Sequence, residues 1–371
     1  MNEQPRGRKA RLLAVWREDV PRATKVAAAL ALLAALLHLL SCLHTGIADF
    51  LNDTLGRLFR AVLAFLSGVV PFSLAETLLY SLLPLGVLFI LLAVRASGDG
   101  HRFRRLIASV LLVPLVIYVL FVPTIAFAYR TAPLDEKLGL SRDPVSAKEL
   151  YDTAVIVREE ASARIGAVAQ AESGSTRMPF DFVGMNERLL AAYDRLSDEH
   201  PFLQRLQSRV KPVLGSEAMA YTHIAGVYTY MTGEANVNLV FPDYSLVFTS
   251  AHELAHQRGI ARENEANFIA FLVCIGSEDV YLQYAGYMNM LEYLINALAV
   301  ADRDLLDTLL SECDDALLYE IIAYNKVFEK YSDSVVGDIS GAINDAYLQS
   351  QGTPGYRSYG MVVDLAVAYY R

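Results

Sequence analysis

The chain opens polar, turns strongly apolar three times, and then holds mixed patterning to its end. Residues 1–25 are polar and basic, with Arg6, Arg8, Lys9, Arg11, Arg17, Arg22 and Lys25. The apolar run from Val26 to about Leu43 is long enough, at helical rise, to cross a bilayer. Further runs at Leu74 to Val94 and Leu106 to Tyr129 predict two more spans, so transmembrane helices are expected at about 26–43, 74–94 and 106–129. Pro114 and Pro123 are tolerable where neighbouring helices satisfy the freed backbone groups. Residues 58–72 are apolar but carry Gly68 and Pro71, which suits an interfacial stretch or a shallow dip. A cleaved signal peptide would share the basic start. The first run, however, is long, lacks a small-residue cleavage site and is followed by more spans.

Beyond residue 130 the periodicity changes. Pro144 to Ala171 and Asn186 to Leu196 read as amphipathic helices separated by a loop around Gly174 and Ser175. Ala218 to Phe241 is rich in β-branched and aromatic residues around Thr232-Gly233-Glu234, which predicts a hairpin. Helical patterning resumes over Asp279 to Val300, Ala316 to Tyr331 and Ile339 to Tyr347, and Ser358 to Tyr370 is a last apolar stretch. The expected fold is mainly α with a small β-hairpin or sheet: three N-terminal transmembrane helices, then a mostly helical domain over residues 130–371.

Basic residues cluster in the tail and in the loop holding Arg95, Arg102, Arg104 and Arg105. The positive-inside rule makes both cytoplasmic and places residues 130–371 beyond the cytoplasmic membrane. Glu76, near the start of the second span, reads as a hydrated helix end rather than a seat for the domain.

The chemistry concentrates in Ser250 to Cys274, where His252, Glu253 and His256 form His-Glu-x-x-His in an apolar helical run. Positions four apart share a helix face, so both imidazoles can converge on one zinc ion with Glu253 beside them. A catalytic zinc needs a third protein ligand and an open position. Gly259 can break the first helix, and Glu263 to Asn267 opens a second. Glu263 and Asn267 share a face, as third ligand and as a group holding a ligand imidazole. Glu265, on another face, is the rival ligand. Glu253 would act as general base. His223, Tyr221, Arg357 and Tyr359 are candidate oxyanion donors, with Tyr359 preferred because Gly355 to Gly360 reads as a structured loop. Asn236 to Val240, Asn236 and Asn238 included, either offers a strand edge to an extended substrate or packs over the motif helix, since strand edges must be paired or covered in any case.

Glu-x-x-Ala-Asn after His-Glu-x-x-His resembles the Glu-x-x-Ala-Asp arrangement of gluzincin metallopeptidases. That resemblance implies Glu263 as third zinc ligand, with Asn267 where those families carry aspartate. The His256 to Glu263 interval is much shorter than in gluzincins. Gly259 sits where metzincins have their turn glycine, yet their third histidine would fall on Arg262. More widely, the chain resembles a bacterial family of membrane proteins catalogued as domain of unknown function 3810. The resemblance rests on the membrane segments, Gly233 to Asn238, the His-Glu-x-x-His region and Ser358-Tyr359-Gly360. It implies a membrane-bound zinc peptidase without naming a substrate.

Composition agrees with a part-membrane chain: 54% of its 371 residues are hydrophobic. The net charge of −9 and the lack of a basic recognition motif argue against a nucleic-acid partner. Expected partners are the lipid bilayer and a peptide or protein substrate in the cell envelope; the oligomeric state is left open. Cys274 and Cys313 are permitted a disulfide, but Cys274 reads as a small buried hydrophobe. The alternative to a peptidase is a non-catalytic envelope protein whose metal stabilises a binding or sensing domain.

Overall fold

The computed structural model describes residues 8–141, 143–168 and 175–371; Arg6 of the basic tail and Gly174 of the expected loop lie outside them. The protein is mostly helical, with a small three-stranded sheet and three helices long and apolar enough to span a membrane. Those helices point to membrane association.

Helix α1 (Arg8–Glu18) precedes the first span, α2 (Arg22–Ser41). Ala27, Ala31 and Ala34 recur on its buried face, and stripes of small residues allow close helix approach. The partner is the third span, which runs from Gly100 to Arg130 through α6 (Gly100–Val110), α7 (Leu112–Phe121) and wider turns beyond it. Between the first and second spans lie α3 (Thr45–Leu51), a π turn and α4 (Arg57–Gly68). The second span, α5 (Leu74–Ala96), starts at Ser73, whose side chain accepts from Glu76 N. The third span begins earlier than the hydropathy implied because Asp99 caps it. Its last turns, Val122 to Tyr129, are buried: Val122 and Phe127 pack with Ala34 and Leu51, and Ile125, Ala128 and Tyr129 with Tyr228 and Ala261 of the domain.

After the short α8 (Leu134–Leu138), α9 (Ala147–Ile165) and α10 (Phe182–Glu199) form the first layer of the domain. Strand β1 (Lys211–Pro212), one helical turn α11 (Ser216–Ala220), β2 (Gly226–Thr229) and β3 (Glu234–Val237) follow. The expected hairpin is present as antiparallel β2 and β3; β1 adds to the other side of β3 in parallel. The strand order β1-β3-β2 makes β3 central and β2 an edge.

Helices α12 (Asp243–Gln257), α13 (Glu263–Ile275) and α14 (Val280–Ala301) pack on one another, and α9 packs along α14. Leu254, Phe268, Phe271, Met288 and Leu291 are all fully buried in the core they form. Cys274 is a free, buried thiol there and Cys313 is also unpaired. The chain closes with α15 (Arg303–Ser311), α16 (Asp315–Tyr331), α17 (Val335–Ser350), a 3-10 turn over Gly355–Met361, and α18 (Val362–Tyr370).

Membrane helices and domain are joined by buried polar contacts. Glu234 on β3 accepts from Leu74 N (3.0 Å) and Ala75 N (2.9 Å), capping the second span, and pairs with Lys211 at 2.5 Å. Glu76 accepts from Leu214 N (3.0 Å) and Gly215 N (2.7 Å). Glu76 thus seats the domain, contrary to the hydrated helix end expected for it, because two backbone N–H groups of the domain meet its carboxylate.

Candidate metal centre

Helix α12 carries His252, Glu253 and His256, and every residue of its second half is buried. Its end is set by Gly259, at φ 91°, a conformation that favours glycine. A Cβ there would stand 2.6 Å from the Arg60 guanidinium carbon. The turn then delivers α13, whose first residue, Glu263, faces back toward α12.

The result is a compact triangle. His252 Nε2 and His256 Nε2 lie 2.9 Å apart, and Glu263 Oε2 lies 3.2 Å and 3.3 Å from them. Ligands about 2.0–2.1 Å from a tetrahedral zinc are separated by about 3.3 Å, so these three atoms match one face of such a shell. His256 Nδ1 meets the Ile260 carbonyl at 2.7 Å, which makes Nδ1 the N–H donor of the neutral ring and leaves the Nε2 lone pair free for a metal. Glu263 Oε2 makes no well-directed hydrogen bond, and neither does Glu253 Oε2 or His252 Nδ1 among the described residues. Buried acceptors that converge without donors are what a cation would satisfy. The residues present therefore fit zinc. No other metal-holding group of His, Cys, Asp or Glu is found among the described residues.

The electrostatics are those of a metal-free site. Burial opposes protonation of His256, but the Glu263 and Glu253 carboxylates outweigh it and push the imidazole up to about 9. Burial works against ionisation of Glu263 too, yet the His256 and His252 rings hold its carboxyl well below the usual range. For Glu253 burial wins and raises the carboxyl.

Glu265 turns elsewhere: its Oε1 accepts from Leu134 N (3.1 Å) and from Arg262 (2.8 Å). Glu263 is thus the carboxylate that meets the imidazoles. Asn267 does not hold an imidazole as expected. Its amide reaches the Tyr359 carbonyl at 3.4 Å, while the Ile260 carbonyl, brought round by the Gly259 turn, takes the His256 N–H.

The strand expectation is also corrected. Asn236 and Asn238 belong to or continue central β3, which is paired on both sides: Asn236 lies between Lys211 and Val227, and Asn238 N donates to Ala225 O at 2.8 Å. The edge is β2, and it runs directly over Glu253. A Cβ on Gly226 would come within 2.7 Å of Glu253 Cγ and Oε1, so only glycine lets the strand lie this close. The Tyr228 N–H donates to the Glu253 carboxylate.

Of the expected oxyanion donors, Tyr359 lies near the site. Its hydroxyl is raised well above its ordinary range by burial and then by the Glu263 carboxylate, with Glu253 adding, and Asn344 on α17 reaches it at 3.4 Å. His223 is committed elsewhere: its Nε2 meets the Tyr331 carbonyl at 2.8 Å and its ring lies against Gly337. Tyr221 packs edge-on against Tyr331, and Arg357 is exposed. Two further tyrosines feel the Glu263 charge: Tyr129 from the end of the third span and Tyr347 from α17. Nothing in their local sequence marked them, because each sits in an ordinary helical pattern far along the chain from the motif.

The family described as "Protein of unknown function (DUF3810)" matches residues 52–367, which takes in the second and third candidate spans and the His252, His256 and Glu263 triangle. No curated protein and no solved structure matches the chain.

Proposed function

We propose that this chain, which belongs to the DUF3810 family of proteins of unknown function, is a membrane-anchored zinc metallopeptidase acting on polypeptide beyond the cytoplasmic membrane. The observation that carries the reading is the triangle of His252, His256 and Glu263 with the open carboxylate of Glu253 on the same helix. A zinc ion held by the triangle supplies Lewis-acid chemistry, acidifying a water molecule and polarising a carbonyl oxygen.

The chain's own residues do the rest. Glu253 Oε2 takes the proton of the attacking water and passes it to the leaving amine nitrogen. Burial raises the Glu253 carboxyl, which suits a group that must take up a proton and give it back. Tyr359, kept neutral by burial and by nearby carboxylates, donates to the developing oxyanion. The outer edge of β2, which pairs with no strand among the described residues, receives an extended peptide through its edge-facing main-chain groups other than Tyr228 N–H, and Gly226 brings that peptide down onto Glu253.

The test is zinc content and hydrolysis of an unstructured reporter polypeptide, measured on folded protein in nanodiscs. Wild type should hold about one zinc per chain and cleave; His256→Ala should lose the metal; Glu253→Gln should keep it and cleave about 10²–10⁴-fold more slowly. Folded wild type that takes up no zinc, or cleavage indifferent to Glu253→Gln, would overturn the proposal. Zinc bound at the triangle without any hydrolysis would favour a metal-stabilised binding or sensing domain.

A further inference from the structure

Two helices beside the metal centre show the wrong face to water. On α4, Leu58, Val62, Phe65, Leu66 and Val69 recur at helical spacing along the face turned away from the domain, and Phe65 is 73% exposed. The opposite face carries Arg60, Ala64 and Ser67, all buried. Arg60 donates to Gln204 (3.0 Å) and Asn52 (2.8 Å) and lies against Gly259, the turn between the two metal-binding helices. On α17 the same pattern returns: Val335, Val336, Ile339 and Ile343 fall within about a third of the helix circumference and all are exposed.

Both helices lie at the ends of the candidate spans. Helix α4 is connected directly between the first and the second. Helix α17 touches the third span near its finish and is linked to the second span, through the domain, at its start. At its start Ser334 donates to Tyr221 O (2.7 Å), and Tyr221 follows α11, whose lead-in at Leu214 and Gly215 is bonded to Glu76 of the second span. Near its finish Tyr347 packs on Phe121 and Tyr129 of the third span, with ring centroids 6.4 and 6.1 Å away. No residue of α7 is buried, whereas every residue from Val122 to Tyr129 is, so Phe121 marks where the third span enters the packed region. The finish of α17 therefore lies at that level, and its apolar face is left exposed by the rest of the protein.

Helix α17 also borders the metal groove. It touches His223, just before β2, and the Phe121–Tyr230 pair, just after it, so it runs past the β2 edge. Between these points Asn344 meets the Tyr359 hydroxyl.

We infer that α4 and α17 lie in the headgroup layer of the bilayer with their apolar faces on acyl chains, so that the groove along β2 opens at the membrane surface. The bilayer is the occupant that fits: the two faces are apolar, flank the spans, and resemble in-plane amphipathic helices. The substrate class follows, and this part rests on the peptidase reading: the groove takes a polypeptide segment tethered to the membrane in preference to one free in solution. Tethering raises the local concentration at such a groove without any new contact.

Depth is measured first, because it needs neither metal nor activity. In a Trp16→Phe background, Ile339→Trp, Leu83→Trp in the second span and Val300→Trp, at a 90% exposed site on α14, are placed singly in nanodiscs. Brominated acyl chains should quench Ile339→Trp by about half, close to the Leu83→Trp value, and leave Val300→Trp unchanged. Quenching of Ile339→Trp by aqueous iodide, with none from the lipid, would overturn the membrane placement. In proteoliposomes, one peptide is then offered with and without an acyl anchor. Cleavage of the anchored form at least about tenfold faster is expected, and equal rates would overturn the substrate assignment. Absence of any cleavage would instead count against the peptidase reading while the quenching result stood.

Discussion

Two buried charge clusters lie within the same small domain and end differently. At Glu234 every strong group is met: its carboxylate accepts from Leu74 N, Ala75 N and Lys211, and the Lys211 ammonium also donates to Ser67 O (2.8 Å) and Phe72 O (2.9 Å). At His252, His256 and Glu263 the ring nitrogens and a carboxylate oxygen converge within 3.3 Å of one another, and carboxylate oxygens of Glu263 and Glu253 have no well-directed hydrogen bond among the described residues. A closed cluster holds structure together; an open one invites a cation, since unsatisfied buried acceptors are costly. Burial alone would not have separated them, because all six of these ionisable side chains are buried.

The largest expected break is at the closed cluster. Glu234→Ala strands the Lys211 charge and uncaps the second span, so unfolding free energy should fall by about 3–5 kcal/mol in denaturant titration of the metal-free protein. Glu263→Gln, measured alongside, should cost less without metal. A loss at Glu263 equal to that at Glu234 would mean that both clusters are structural.

A carboxylate outside both clusters sharpens the contrast. Glu292, partly buried, has neither a basic partner nor convergent ligands among the described residues; desolvation pushes it up to about 7 against the hydrogen bond from Tyr244, with Glu320 adding. Its folded-state value lies above the unfolded one, so the stability linked to its proton is complete below about pH 4.5 and is lost as pH climbs to about 7. Between these limits wild type should lose about 3 kcal/mol relative to Glu292→Gln, read from thermal unfolding at each pH. Parallel pH profiles for the two proteins would remove Glu292 from the comparison.

The smallest effect belongs to the metal. Free zinc at a hundredfold excess over its dissociation constant should stabilise wild type by about 2.7 kcal/mol and leave His256→Ala unmoved. The proton on His256 must leave for the metal to bind, so zinc affinity should weaken as pH falls below about 9.

The spans, the mostly helical domain with its hairpin, and the break at Gly259 were legible because each depends on local rules: run length, a 3.6-residue period, and a turn that needs positive φ. The pairing of His252 with His256 was legible for the same reason, as both sit on one helix. Other features were not. Asn236 read correctly as a strand residue, with Asn238 one position past the end of β3, but whether a strand is central or an edge depends on which partners it meets, and β1 comes from outside the hairpin. Asn267 has the spacing to face the site, yet the fold brings the Tyr359 carbonyl within its reach and no imidazole.

The amino-acid order by itself determined that this chain has three apolar helices and a paired-histidine helix followed by an acidic one, since neighbours in sequence share a helix face whatever surrounds them. Only the tertiary structure decided that Glu263 rather than Glu265 turns inward, that β2 passes over Glu253 and that Glu76 and Glu234 lock the second span to the sheet. Those outcomes depend on contacts between segments distant in sequence. No local pattern encodes them, because packing and hydrogen-bond satisfaction across the whole core select among faces that the sequence leaves equivalent.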